Sequence, residues 1–245
     1  MGFDFSEYDK SGEVVNEKGY IAGGQIEIGK GLGPVWMSAQ GSILKGEVDY
    51  DGETQSGNPH QTVTAETIYD YSLQIGRIYE SWRRHDFATI YFGVGFHQWA
   101  RDIKTKNGVV GLFERYTWYY AHVGARGFLF RTDRFHFMVE LNLLRTIKPV
   151  IDVNFKGAVD PSGKKYDNDR LDLGEHYGAK FSLPIRMEIT RRFQLYTEFY
   201  FEAWDLGGSE ETQLTTQGFV AGFLEEPRST SRFFGVKLGL FLKFD

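Results

Sequence analysis

The sequence predicts an all-β fold: a closed up-and-down antiparallel transmembrane β-barrel of about ten strands, within a range of eight to ten. Three observations predict it. Segment after segment alternates with period two, one side apolar and the other carrying charge, amide, glycine or an aromatic ring. Aromatic residues reach 16%, with 21 Phe and 14 Tyr beside 29 Gly, a pairing that suits twisted strands better than helices. Short and longer connections alternate, as they do when turns collect at one rim of a barrel and loops at the other.

The elements follow in order. A short lead, "FDFSEY" at 3–8, is the first strand, and "DKSGEVVNEKG" reads as a medium loop. Weaker alternations over 19–30, 35–50 and 64–80 follow; in the first, Ile26 and Ile28 oppose Gln25 and Glu27. "GKGLGP" and "DGETQSGNPHQT" separate them, the latter placing His60 in a loop. After the tight "SWRRHD", which holds His85, residues 88–99 set Ile90, Phe92, Val94 and Phe96 against Tyr91, Gly93, Gly95, His97 and Trp99. Beyond "KTKNGVVG", Ala121, Val123, Ala125 and Leu129 oppose His122, Gly124 and Arg126.

"TDR" leads into Phe135, Phe137, Val139, Leu141 and Leu143, opposed by His136, Met138, Glu140 and Asn142. The long "KGAVDPSGKKYDNDRLDLG" precedes 177–189, where Phe181, Leu183 and Ile185 oppose Lys180, Ser182 and Arg186. "RR" leads to 193–204, where Leu195, Phe199 and Phe201 oppose Tyr196, Glu198 and Glu202. A long segment from Gly207 to Ser231 precedes the last strand, "RFFGVKLGLFLKFD", with Val236, Leu238 and Leu240 against Lys237 and Gly239. An even count puts both termini at the turn rim, and no linker or repeat marks a second domain in residues 1–245.

Lipid rather than a protein core is expected to meet the apolar sides. Each band holds five to seven alternating residues, matching the roughly 9–11 residues of a tilted membrane strand. Two aromatic belts result: Tyr69, Tyr71, Tyr119, Tyr177 and Phe201 toward the loops, and Tyr79, Phe135 and Phe193 toward the turns. No apolar run approaches the roughly 18–20 residues of a membrane helix. The absence of Cys excludes disulfides and thiolate metal sites, and a net charge of −5 argues against nucleic-acid binding. Met1 leads directly into "GFDF" with no secretory signal, as in a mature exported form.

The C-terminal strand resembles those of Gram-negative outer-membrane β-barrels, which commonly end on an aromatic residue; here that residue is Phe244, followed by Asp245. That resemblance implies insertion by the barrel assembly machinery, an outer-membrane location and contact with membrane lipid and lipopolysaccharide. "VDYDGETQSG", "QWARDI" and "ERYTWYY" look similar to stretches of an outer-membrane barrel family that brings no activity with it. The strand count is similar to that of omptin proteases, without an omptin motif.

Function is expected to lie in the lumen of a monomeric barrel with no cofactor. The lining candidates are His97, Arg101, His122, Arg126, Glu140, Lys180, Arg186, Glu198, Glu202 and Lys237, whose charges would set selectivity in a narrow channel for small polar solutes or ions. The alternative is a structural or adhesive barrel with a filled lumen and binding loops. Third comes a rim hydrolase built on Asp172 and His176, with Asp102, Glu47, Asp49 and Asp51 nearby. His97 and His122 take lumen parity and suit hydrogen bonding better than a metal. The apolar "GFVAGFLEEP" at 218–227 reads as a plug, a partner surface, a strand extension or a short helical cap. Arg83, Arg84, Arg131, Arg134, Arg191 and Arg192 make a basic turn rim.

Overall fold

A computed structural model describes residues 1–9, 12–54, 57–80, 87–190 and 192–242 of the chain. The "SWRRHD" turn with Arg83, Arg84 and His85, together with Arg191, Lys243, Phe244 and Asp245, lies outside the described residues.

The described elements are all strands: β1 (Gly2–Asp9), β2 (Gly12–Leu32), β3 (Val35–Glu53), β4 (Pro59–Glu80), β5 (Phe87–Ile103), β6 (Phe113–Arg131), β7 (Phe135–Asn154), β8 (Asp169–Asp172), β9 (Tyr177–Glu188), β10 (Phe193–Leu206), β11 (Thr212–Thr216), β12 (Phe219–Leu224) and β13 (Arg228–Leu242). Ten of them, β1 to β7 with β9, β10 and β13, pair antiparallel in chain order, and the β1–β13 ladder closes the ring. β8 adds to β7 above β9, while β11 and β12 form a separate hairpin. The all-β, closed up-and-down antiparallel barrel of ten strands expected from the sequence is therefore the one observed.

Several boundaries differ from expectation. "DKSGEVVNEKG" is strand from Gly12 onward, and His60 lies within β4 opposite Gly52. Residues 218–227 neither prolong the flanking barrel strands nor form a helix, because β12 folds back on β11. β1 runs away from the turn rim as expected, but Gly2 stands midway up the wall, opposite Tyr20 and Phe234, so the N-terminus does not reach that rim. Closer to the turns, Lys237 Nζ reaches Gln25 Oε1 at 2.8 Å from β13 to β2.

The extra strand length has one physical cause: the alternation continues past the expected ends but inverts its polarity. In the turn half the outward residues are apolar, among them Ile28, Leu73, Phe92, Val123, Leu141, Phe199 and Leu238, the last 77% exposed. In the loop half the apolar residues turn inward, including Phe3, Phe5, Val48, Trp99, Tyr116 and Trp118. Lys18, Lys45, Glu47, Asp49, Asp51 and Arg115 stand on the outer face there, exposed. The wall thus has an outward apolar zone in the turn half and a second zone with the sidedness of a water-soluble barrel in the loop half. Exposed Tyr71, Tyr119, Tyr177 and Phe201 mark the boundary between them.

Candidate functional site

Inside the loop half, Arg101 of β5 organises a closed core. Its Nη1 donates to Glu7 at 2.9 Å, Glu114 at 2.7 Å and the Tyr116 hydroxyl at 3.1 Å, and its Nη2 lies 3.1 Å from Glu17. The guanidinium also covers the Phe5 ring at 4.2 Å. Glu17 accepts from the Thr64 hydroxyl at 2.6 Å, and Trp99 donates its indole N–H to Glu66. Trp99, Trp118 and Arg101 are each 1% exposed. A buried guanidinium is tolerable here because several carboxylates share it. Glu226, from the connection between β12 and β13, accepts from the Tyr116 hydroxyl and ties the long loop to this core; burial pushes its carboxyl well above the usual carboxylate range.

Below that core the lumen opens into a cavity of about 520 Å³ in the turn half. Of the ten candidates, His97, His122, Arg126, Glu140, Lys180, Arg186, Glu198, Glu202 and Lys237 all line it. Arg101 does not: it belongs to the core above, because at its level the inward face is packed by rings from β1, β5 and β6. The strand parity that selects these residues is set by the register, which places Arg126 opposite Glu140, Lys180 opposite Glu202 and Glu198 opposite Lys237.

Most of the lining charges are paired. Arg126 Nε donates to Glu140 at 2.6 Å, and Tyr91 donates to the other oxygen of the same carboxylate. Glu198 accepts from Tyr196 and lies 3.7 Å from Lys180 and 3.5 Å from Lys237. Glu202 accepts from the Trp204 indole at 2.7 Å. His97 stacks on Trp118 at 4.2 Å with Nδ1 3.0 Å from Asp70, while His122 Nδ1 lies 3.3 Å from Asn142. The two histidines hold different partners and do not converge on one point. Among the described residues no group of three or more His, Asp or Glu is arranged to hold a metal ion.

Glycine makes room for these rings. Tyr120 lies over its cross-strand partner Gly95 and Tyr91 over Gly124; a methyl group on either glycine would sit 2.1 Å from the Tyr120 ring or 2.4 Å from the Tyr91 ring. The glycine-rich lumen face is therefore a set of sockets for the aromatic side chains opposite.

The rim arrangement differs from the hydrolase expectation. His176 Nδ1 lies 3.1 Å from Asp205, which Arg228 also grips at 2.6 Å, and Asp172 sits on β8 opposite Val150. Asp102 is held by Lys104 at 2.6 Å and by Lys156. Glu47, Asp49 and Asp51 lie along the outer face of β3. These carboxylates are distributed among separate partners instead of one water-activating pair.

Glu7, Glu17, Glu66, Glu114 and Glu226 were not among the expected site residues. Glu66 shares the lumen parity of Asp70 in β4, and that signal alone could have found it. Glu17 lies where the chain reads as loop. No protein-family model matches the chain, and no curated protein matches it.

Proposed function

We propose that the protein is an integral outer-membrane β-barrel of a Gram-negative bacterium whose lumen is a chamber closed at the loop end, so that it acts by binding rather than by conduction. The single observation carrying this reading is the inversion of sidedness along the wall: an outward apolar zone surrounds the polar chamber, and a water-facing zone surrounds the Trp99, Trp118 and Arg101 core. Apolar surface of that extent is stable against acyl chains, and charged surface is stable against water. Turns then face the periplasm and loops the exterior. Lys18, Lys45, Arg115, Arg145 and Arg232 stand exposed on the outer face just loopward of the apolar zone, where lipopolysaccharide phosphates would lie. Insertion by the barrel assembly machinery and a monomeric state complete the proposal.

The packed core opposes the alternative of a narrow channel, since a permeating ion would have to displace side chains that are almost fully buried. Planar-bilayer recording tests it directly. A folded, heat-modifiable barrel is expected to insert without unitary current steps, and reproducible steps from the wild-type chain would overturn the non-conducting reading.

A further inference from the structure

We infer that the turn end of the chamber is a binding site for an anionic head group, a carboxylate or phosphate monoester, received by Arg186 with Arg126 beside it. The inference rests on the chamber being a binding space. Arg186 projects from β9 into the cavity, opposite Tyr196 on one side and His136 on the other. Its guanidinium lies over the Phe241 ring at 4.5 Å and within 5.9 Å of Tyr196, so it is flanked by aromatic walls. Its Nε is buried with no acceptor, and among the described residues it enters no ion pair.

Among the described residues, each carboxylate that lines the chamber, Glu27 apart, is committed elsewhere. Glu140 holds Arg126 and Tyr91, and Glu198 is shared by Lys180, Lys237 and Tyr196. Glu27 of β2 lines the same cavity but is exposed to solvent. Arg126 uses only Nε on Glu140, which leaves its terminal amino groups for a ligand. A half-buried guanidinium with an unmet Nε donor, backed by an aromatic ring, matches the two parallel acceptors of a carboxylate or phosphate far better than a neutral solute. The His122 Nε2 atom, also buried without a partner, offers a further polar contact higher in the chamber.

The test is calorimetric titration of the full chain in dodecyl maltoside and chloride buffer with two probes, inorganic phosphate and octyl phosphate. Saturable binding of at least one is expected. Both probes share the recognised chemistry: binding of inorganic phosphate points to a free anion, and binding of octyl phosphate alone to a lipid-type ligand. Arg186→Gln should weaken binding at least tenfold, with part of it restored by Arg186→Lys. Should Arg186→Gln fail to fold, Phe241→Leu, which removes the ring platform, should weaken binding several-fold. No saturable heat from either probe, or undiminished binding in the folded variants, overturns the inference. Current steps in a bilayer with binding intact would instead count against the closed chamber alone.

Discussion

Arg101 on β5 and Glu17 on β2 meet at 3.1 Å inside the barrel, although β3 and β4 stand between their strands in the wall. Together with the buried rings of Phe5, Trp99 and Tyr116 around it, that contact packs the lumen at this level. The loop half is a packed interior, and the residues lining the open space belong to the turn half.

Replacing Arg101 should therefore be among the most damaging single changes. Arg101→Leu leaves Glu7, Glu17 and Glu114 buried without their shared counter-charge, a loss of about 3–5 kcal/mol for breaking such a group. Urea unfolding in micelles measures it. Adding Glu17→Gln should recover part of the loss, and strictly additive effects would show that the residues are not coupled.

The socket arrangement predicts a steric cost at Gly124. A methyl group there meets the Asn142 Oδ1 atom at 2.3 Å and the Tyr91 ring at 2.4 Å. Gly124→Ala should cost about 1–3 kcal/mol, with relief when combined with Tyr91→Leu. A neutral Gly124→Ala barrel would mean the ring does not occupy that place.

Tyr91 also donates to a carboxylate that Arg126 holds. Tyr91→Phe should lower stability by about 1.5–3 kcal/mol, the range for a buried hydrogen bond to a charged group. The unfolding midpoint should fall while the slope with urea stays unchanged.

A pH effect is expected in the exposed β11–β12 hairpin. Asp167 accepts from the Gly218 amide at 2.9 Å and the Thr215 hydroxyl at 2.8 Å, and those bonds hold its carboxyl below the usual range. A group with a depressed folded value contributes its tether above the unfolded value, about 3.9, and loses it as pH falls through the folded one. Limited proteolysis within 212–224 should accelerate in acid below that range, and Asp167→Asn should show the faster rate already at neutral pH. Equal rates for both proteins at pH 7 would rule out the tether.

The barrel and the lining residues of its turn half were legible because one rule, apolar out and polar in, selects Phe92 against Tyr91 and Leu238 against Lys237 without knowledge of any partner. The loop half was not legible by that rule. There Val48 and Tyr50 face inward while Glu47 and Asp49 stand exposed on the outer face, so the same alternation carries the opposite meaning. The stretch around Glu17 reads as loop because its charges lie on both faces, and only the distant Arg101 gives the inward ones a partner. Parity could place Asp70 and Glu66 in the lumen, but which carboxylate meets which cation depends on contacts between strands that are far apart in the sequence.

The inverted sidedness is open to one direct measurement. The chain has no Cys, so single cysteines can be introduced and labelled with a fluorophore at Leu238 and at Asp49, both on the outer face but in different zones. In phospholipid bilayers with acyl-chain spin labels, fluorescence at 238 should be strongly quenched and fluorescence at 49 should respond to an aqueous quencher instead. Equal aqueous accessibility at both positions in folded protein would contradict the membrane assignment of the apolar zone.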